Sequence, residues 1–176
     1  MSMIEKNRER VAIHEAGRAI TACVLQRRFN QVTIVPDAQD GQKSIELVAL
    51  VEEERADPQV YQKWLEEKVL VGLAGAIAEA FHTSHDQAVI QTLVQDYAFV
   101  AQDVTELLPL VDQDGRLGAR DILVLSLWER GLKLLNQHWG AVTVLSDLLL
   151  DLGTVGWREV CEIFEHTTKW RGSRSW

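Results

Sequence analysis

Apolar residues recur at three- and four-residue steps over residues 6–26, where Ile13, Ala16, Gly17, Ile20 and Val24 form one stripe of a predicted helix. Ala12, Ala16, Gly17, Ala19 and Ala22 keep that helix thin, so a neighbouring element can approach its backbone closely. His14 and Arg18 share a second face, continued by Thr21 and Leu25. The period then changes. Residues 29–36 are β-branched at Val32, Thr33, Ile34 and Val35 and close on Pro36, which cannot donate to a ladder. Residues 44–52 read as a second strand, and a turn over 37–41 is expected to pair the two antiparallel as a short β-hairpin.

A charged linker over 52–57 ends in Asp57-Pro58, which predicts a helix with Asp57 as N-cap and Pro58 in its first position. This helix spans 58–81. Its second half, from Val69 to Phe81, is apolar nearly all round and must be central. Gly72 and Gly75 each cost about 1 kcal/mol of helix propensity; close packing against the thin first helix would account for them. Glu79 lies inside the apolar segment, and a buried carboxylate there must be paired, protonated or facing a cleft. Further helices are expected at 88–108, 119–138, 141–152 and 155–166, with an acidic loop at 109–118 and breaks at Gly140 and Gly153. Trp128, Trp139 and Trp157 are expected in the core. Residues 167–176 are basic, carry Trp170 and Trp176, and read as a flexible tail after a single domain over 1–166.

Composition narrows the classes. A chain of 176 residues with 47% apolar content can bury one substantial core. A net charge of −8 argues against a nucleic-acid partner, which calls for a basic patch. Cys23 and Cys161 are far apart in sequence, inside apolar helical patterns, and read as buried free thiols of a reducing compartment, not as a disulfide or a metal pair. The N-terminus carries Glu5, Arg8, Glu9 and Arg10 where a signal peptide needs an apolar core. The longest apolar run is interrupted by Glu79 and falls short of the roughly 20 residues that a spanning helix requires. A cytoplasmic protein without a membrane partner is the expectation.

The candidate chemistry lies in residues 11–20, Val-Ala-Ile-His-Glu-Ala-Gly-Arg-Ala-Ile. His-Glu-x-x-His on a helix places two imidazoles one turn apart to bind zinc, with the Glu as general base for the metal-bound water. Here the fifth position is Arg18, whose guanidinium offers no lone pair, stays protonated and repels a dication. Three stretches together resemble the peptidase domain of the FtsH family of ATP-dependent zinc metalloproteases. Arg10 to Ile20 is similar to that family's Val-Ala-x-His-Glu-Ala-Gly-His-Ala. Gln31-Val-Thr-Ile-Val-Pro36 is similar to its Lys-Val-Thr-Ile-Ile-Pro, and Leu73-Ala-Gly-Ala-Ile-Ala-Glu79 to its Leu-Ala-Gly-Arg-x-Ala-Glu.

The resemblance implies a mostly helical α+β domain with a short β-hairpin or small sheet. It implies zinc as cofactor, with His14 and Asp96 as ligands and Glu15 as catalytic base, although Leu93-Val-Gln-Asp96 stands where the family has Gly-Ala-x-Asn-Asp. Arg18 turns the reading towards a stand-alone, degenerate peptidase that acts through binding or assembly, with itself or an FtsH-like relative, since the family's peptidase domains form rings. In that case Arg18 takes the metal's place and pairs with Glu15, Asp96 or Glu79. The alternative is an active zinc metallopeptidase on a peptide or protein substrate, its site rebuilt from His14, Asp96 and one of His82, His85 or Glu79. In a third reading the old cleft binds a small molecule or peptide, with Arg18 gripping a carboxylate or phosphate. The chain contains no Gly-x-x-x-x-Gly-Lys-[Ser/Thr] loop, so ATP dependence would come from another polypeptide.

Overall fold

A crossing of two helices through small residues sets the architecture. The computed structural model describes residues 3–35, 45–83, 87–112 and 115–172. In chain order the elements are α1 (Met3–Val24), β1 (Gln31–Thr33), α2 (Glu52–Ala56), α3 (Pro58–Thr83), α4 (Gln87–Val111), α5 (Ala119–Leu152), β2 (Thr154–Gly156) and α6 (Trp157–Gly172). The fold is mostly helical with one two-stranded antiparallel sheet, an α+β arrangement. Among the described residues no helix is long and apolar enough to cross a membrane.

α3 is the central element. It starts as its sequence dictates, with the Asp57 carboxylate accepting the N–H groups of Gln59 at 2.9 Å and Val60 at 3.3 Å. From Val69 to Glu79 every residue is buried, because α1, α4 and α5 all pack against this helix. The thin face of α1 lies on it. A Cβ added to Gly17 would come within 2.5 Å of the Ala78 Cβ and 2.8 Å of the Ala74 carbonyl oxygen, so the two backbones are at closest approach there. Ile20, Leu70, Leu73, Ile77, Leu107, Leu135, Leu145 and Leu149 fill the core around this crossing.

α1 ends in a Schellman motif. Gln26 is in the left-handed region (φ 58°), its N–H bonds the Cys23 carbonyl at 3.0 Å, and the Arg27 N–H bonds the Ala22 carbonyl at 2.8 Å. The turn directs Arg27 back to the buried Glu67 carboxylate of α3.

The sheet differs from the expected hairpin. β1 pairs with β2, from the far end of the chain, in the register Gln31–Gly156, Val32–Val155 and Thr33–Thr154. The segment predicted as the second strand makes a single bridge, Phe29 to Leu47, with the Val48 N–H on the Arg28 carbonyl at 2.8 Å. Its turn lies outside the described residues. The reason for the exchange is local to β2. Gly153 caps α5 through its N–H on the Leu149 carbonyl at 2.8 Å and, at φ 78°, redirects the chain so that its own carbonyl accepts the Ile34 N–H at 2.9 Å. Val32 and Val155 are then buried together, and the Thr33 and Thr154 hydroxyls bond at 2.7 Å.

Two helix boundaries also move. The expected helices 119–138 and 141–152 are the two arms of one long element, α5, which kinks between them at His138 (φ −114°, ψ 18°), two residues before the expected break at Gly140. α6 runs on to Gly172, past the boundary at His166 where the tail was expected to begin, with the Thr167 and Thr168 hydroxyls on carbonyls one turn back. The three tryptophans pack against the core half-buried. Trp157 meets Phe29 edge-on at 4.8 Å between ring centroids, and Trp139 lies 5.1 Å from Phe81.

Candidate functional site

The crossing of α1 and α3 places His14 directly over Gly75. A Cβ at Gly75 would lie 2.2 Å from the His14 Nε2, so the ring occupies the space that a side chain at 75 would need. This is the close approach expected of that glycine. One turn further along α3, the Glu79 Oε1 is 2.8 Å from the His14 Nδ1. A carboxylate can only accept, so the imidazole donates from Nδ1, and its Nε2 is the nitrogen turned towards the rest of the site. Glu79 is 3% exposed; of the outcomes open to a carboxylate in this segment, the structure realises pairing.

Basic and acidic side chains alternate around this bond. The Arg10 Nε is 3.9 Å from the second oxygen of Glu79. On the other side, the Glu15 Oε1 is 3.9 Å from the His14 Nε2, and the Glu15 Oε2 is 3.5 Å from the Arg18 Nη1. The order is therefore Arg10, Glu79, His14, Glu15, Arg18. Glu15 and Glu79 are buried, and the Arg18 side chain is only 12% exposed, so solvent screens these pairs less than it would at a surface. The cluster is more than a surface helix pair.

Of the predicted site residues, His14 and Glu15 are thus brought together with Glu79. Asp96 lies within α4, and its side chain falls outside the described residues. His85 lies outside the described residues. His82 is exposed and lies with its Nε2 3.4 Å from the Glu9 Oε1, an arrangement that ties the end of α3 to the start of α1. Arg10 is the member that sequence reasoning missed. Its position four residues before His14 put it on the same helix face, which was the available signal.

A zinc centre does not fit the described residues. A metal-binding histidine commonly donates its other ring nitrogen to a carboxylate, and Glu79 holds His14 in that way. The remainder disagrees: the second imidazole is replaced by a guanidinium, and that guanidinium lies against the carboxylate that would serve as base. Among the described residues no group of three His, Cys, Asp or Glu side chains is placed to hold a metal.

A cleft of about 330 Å³ opens beside Arg18, walled by Arg18, Leu47, Arg55, Trp64, Lys68 and Val71 among others. Lys68 is held by Asp103 at 2.7 Å and sits 5.1 Å from the centre of the Trp64 ring. Trp64 is buried, and its indole N–H meets no acceptor among the described residues. The chain matches no protein-family model, and comparison with curated proteins finds no match.

Proposed function

We propose that this chain is a degenerate peptidase-like domain of the FtsH kind in which Arg18 has taken the place of the metal, and that it acts by binding. One observation carries the reading: the Arg18 guanidinium lies on the Glu15 carboxylate, where a peptidase of this design would need a second imidazole and an unencumbered base. The Glu79-to-His14 hydrogen bond supports the same descent, since it orients a histidine as a metal site would while the ion that would reward that orientation is opposed by positive charge. Binding falls to the cleft beside Arg18. Assembly with a second copy or with an FtsH-like relative belongs to the same proposal.

The test is elemental analysis of protein purified without chelator, for wild type and Arg18→His, with casein hydrolysis assayed alongside. The expected result is zinc-free, inactive wild type, with zinc taken up on Arg18→His. One zinc per chain in the wild type, together with casein cleavage that is lost on Glu15→Gln, overturns the proposal and makes the chain an active metallopeptidase with a rebuilt site.

A further inference from the structure

The two cysteines, 138 positions apart in sequence, meet in the fold. The Cys23 Sγ and Cys161 Sγ are 3.2 Å apart, joining the last turn of α1 to the second turn of α6. The expectation of two free thiols holds, and the fold adds that they are neighbours. Both are free thiols.

Each sulfur is carried by backbone that hydrogen bonds hold near a helix end. Cys23 supplies the carbonyl that caps α1 in the Schellman motif. Cys161 follows a helix start pinned twice, by the Trp157 N–H on the Asn30 carbonyl at 3.1 Å and by the Glu159 carboxylate on the Gly156 N–H at 2.8 Å. The approach of the sulfurs is therefore a property of the packed fold and not of two mobile side chains. A disulfide needs the sulfurs at about 2.05 Å, so closure requires them to approach by about 1 Å.

We infer that Cys23 and Cys161 form a reversible oxidative modification site, a dithiol that closes to an intramolecular disulfide and staples the last helix to the first. The inference is independent of the proposed binding function. Cys23 is buried and Cys161 half-buried, which assigns the order of events. Burial, the adjacent Cys161 and the charge of Glu165 push the Cys23 thiol well above the ordinary thiol range, so Cys23 is the poorer first nucleophile.

With a low-molecular-weight disulfide such as oxidised glutathione as oxidant, the Cys161 thiol gives its proton to solvent and its thiolate attacks one sulfur of the oxidant. That step breaks the oxidant's S–S bond, releases one glutathione thiolate and leaves a mixed disulfide on Cys161. Cys23 then loses its proton and attacks the Cys161 sulfur, expelling the second glutathione. Two protein thiols and one small disulfide become one protein disulfide and two small thiols; the protein is oxidised by two electrons and the oxidant reduced by two.

The experiment treats the reduced full chain with oxidised glutathione. It then counts free thiols in denaturant, maps peptides by mass without reduction, and compares urea midpoints. The expected result is joint loss of both thiols and a monomeric product in which the Cys23 and Cys161 peptides are linked. Its unfolding midpoint should be higher and should return to the starting value with dithiothreitol. Cys23→Ser should stop at the mixed disulfide on Cys161, with no rise in midpoint. Wild type that also stops at the mixed disulfide, that cross-links between chains, or that is destabilised on oxidation overturns the inference, and these readings do not depend on the serine variant folding.

Discussion

Gly75→Ala sets two effects of opposite sign against each other. In a helix interior, alanine is favoured over glycine by about 1 kcal/mol. On that ground alone the substitution should stabilise α3. The structure opposes it, because the new Cβ would lie 2.2 Å from the His14 Nε2 and 2.4 and 2.5 Å from two ring carbons. The helices cannot separate cheaply to make room, since Gly17 is already in contact with Ala74 and Ala78 across the same crossing. The ring must leave instead. Its departure breaks the 2.8 Å hydrogen bond that the ring makes to the buried Glu79 carboxylate. Losing one partner of a buried hydrogen-bonded charge costs about 3 kcal/mol, so the net effect is destabilisation by about 2 kcal/mol.

Urea unfolding measures this as a midpoint lowered by about 1 M for an m-value of about 2 kcal/mol/M. The decisive comparison is a double-mutant cycle with His14→Ala. With the ring absent, Gly75→Ala should keep only its helix-propensity gain of about 1 kcal/mol, which gives a coupling of about 3 kcal/mol between the two positions. A Gly75→Ala protein more stable than wild type, or one with the same cost in both backgrounds, would refute the claim that Gly75 exists to admit His14.

Two other tests address the surroundings. Arg27→Met leaves the Glu67 carboxylate, 4% exposed, with only the exposed Lys63 ammonium at 4.0 Å among the described residues and should cost about 3 kcal/mol in urea unfolding; adding Glu67→Leu should recover most of it, because an apolar pair replaces a buried charge that has lost its close partner. The Tyr61 hydroxyl donates to the Glu106 carboxylate at 2.9 Å, and this bond is the main cause that raises the Tyr61 pKa above its ordinary value. A raised folded-state pKa contributes stability that is fully present below the unfolded value and is lost as pH rises through the folded one. In a Tyr97→Phe background, tyrosinate absorbance should therefore develop at higher pH in Glu106 protein than in Glu106→Gln; identical titrations would remove the hydrogen bond from the account.

What could be read from the chain was whatever one helical turn or one strand contains. Asp57-Pro58 started α3 because an N-cap and a fixed φ act on adjacent residues, and the apolar run from Val69 marked the centre because no face of it could stay wet. The partner of β1 was not legible: residues 44–52 and 154–156 both offer short β-branched segments, and the choice was made by Gly153 turning the chain at the end of α5. The contact of Cys23 with Cys161 was hidden for the same reason, since it follows from where α6 begins after β2.

The candidate site divides along this line. Glu15 was a possible partner of Arg18 from spacing alone, because residues three apart share a helix face. Glu79 was an equally good candidate until the crossing was known. Closest approach at Gly17 and Gly75 brings Glu79 to the Nδ1 side of His14, where Arg10 also lies, and leaves Arg18 beside Glu15. One long-range fact, the register of two helices through their glycines, thus decides that Glu79 faces His14. It follows that the Gly75 and His14 cycle tests the layout of the whole charge cluster, because any other register would assign Glu79 a different partner.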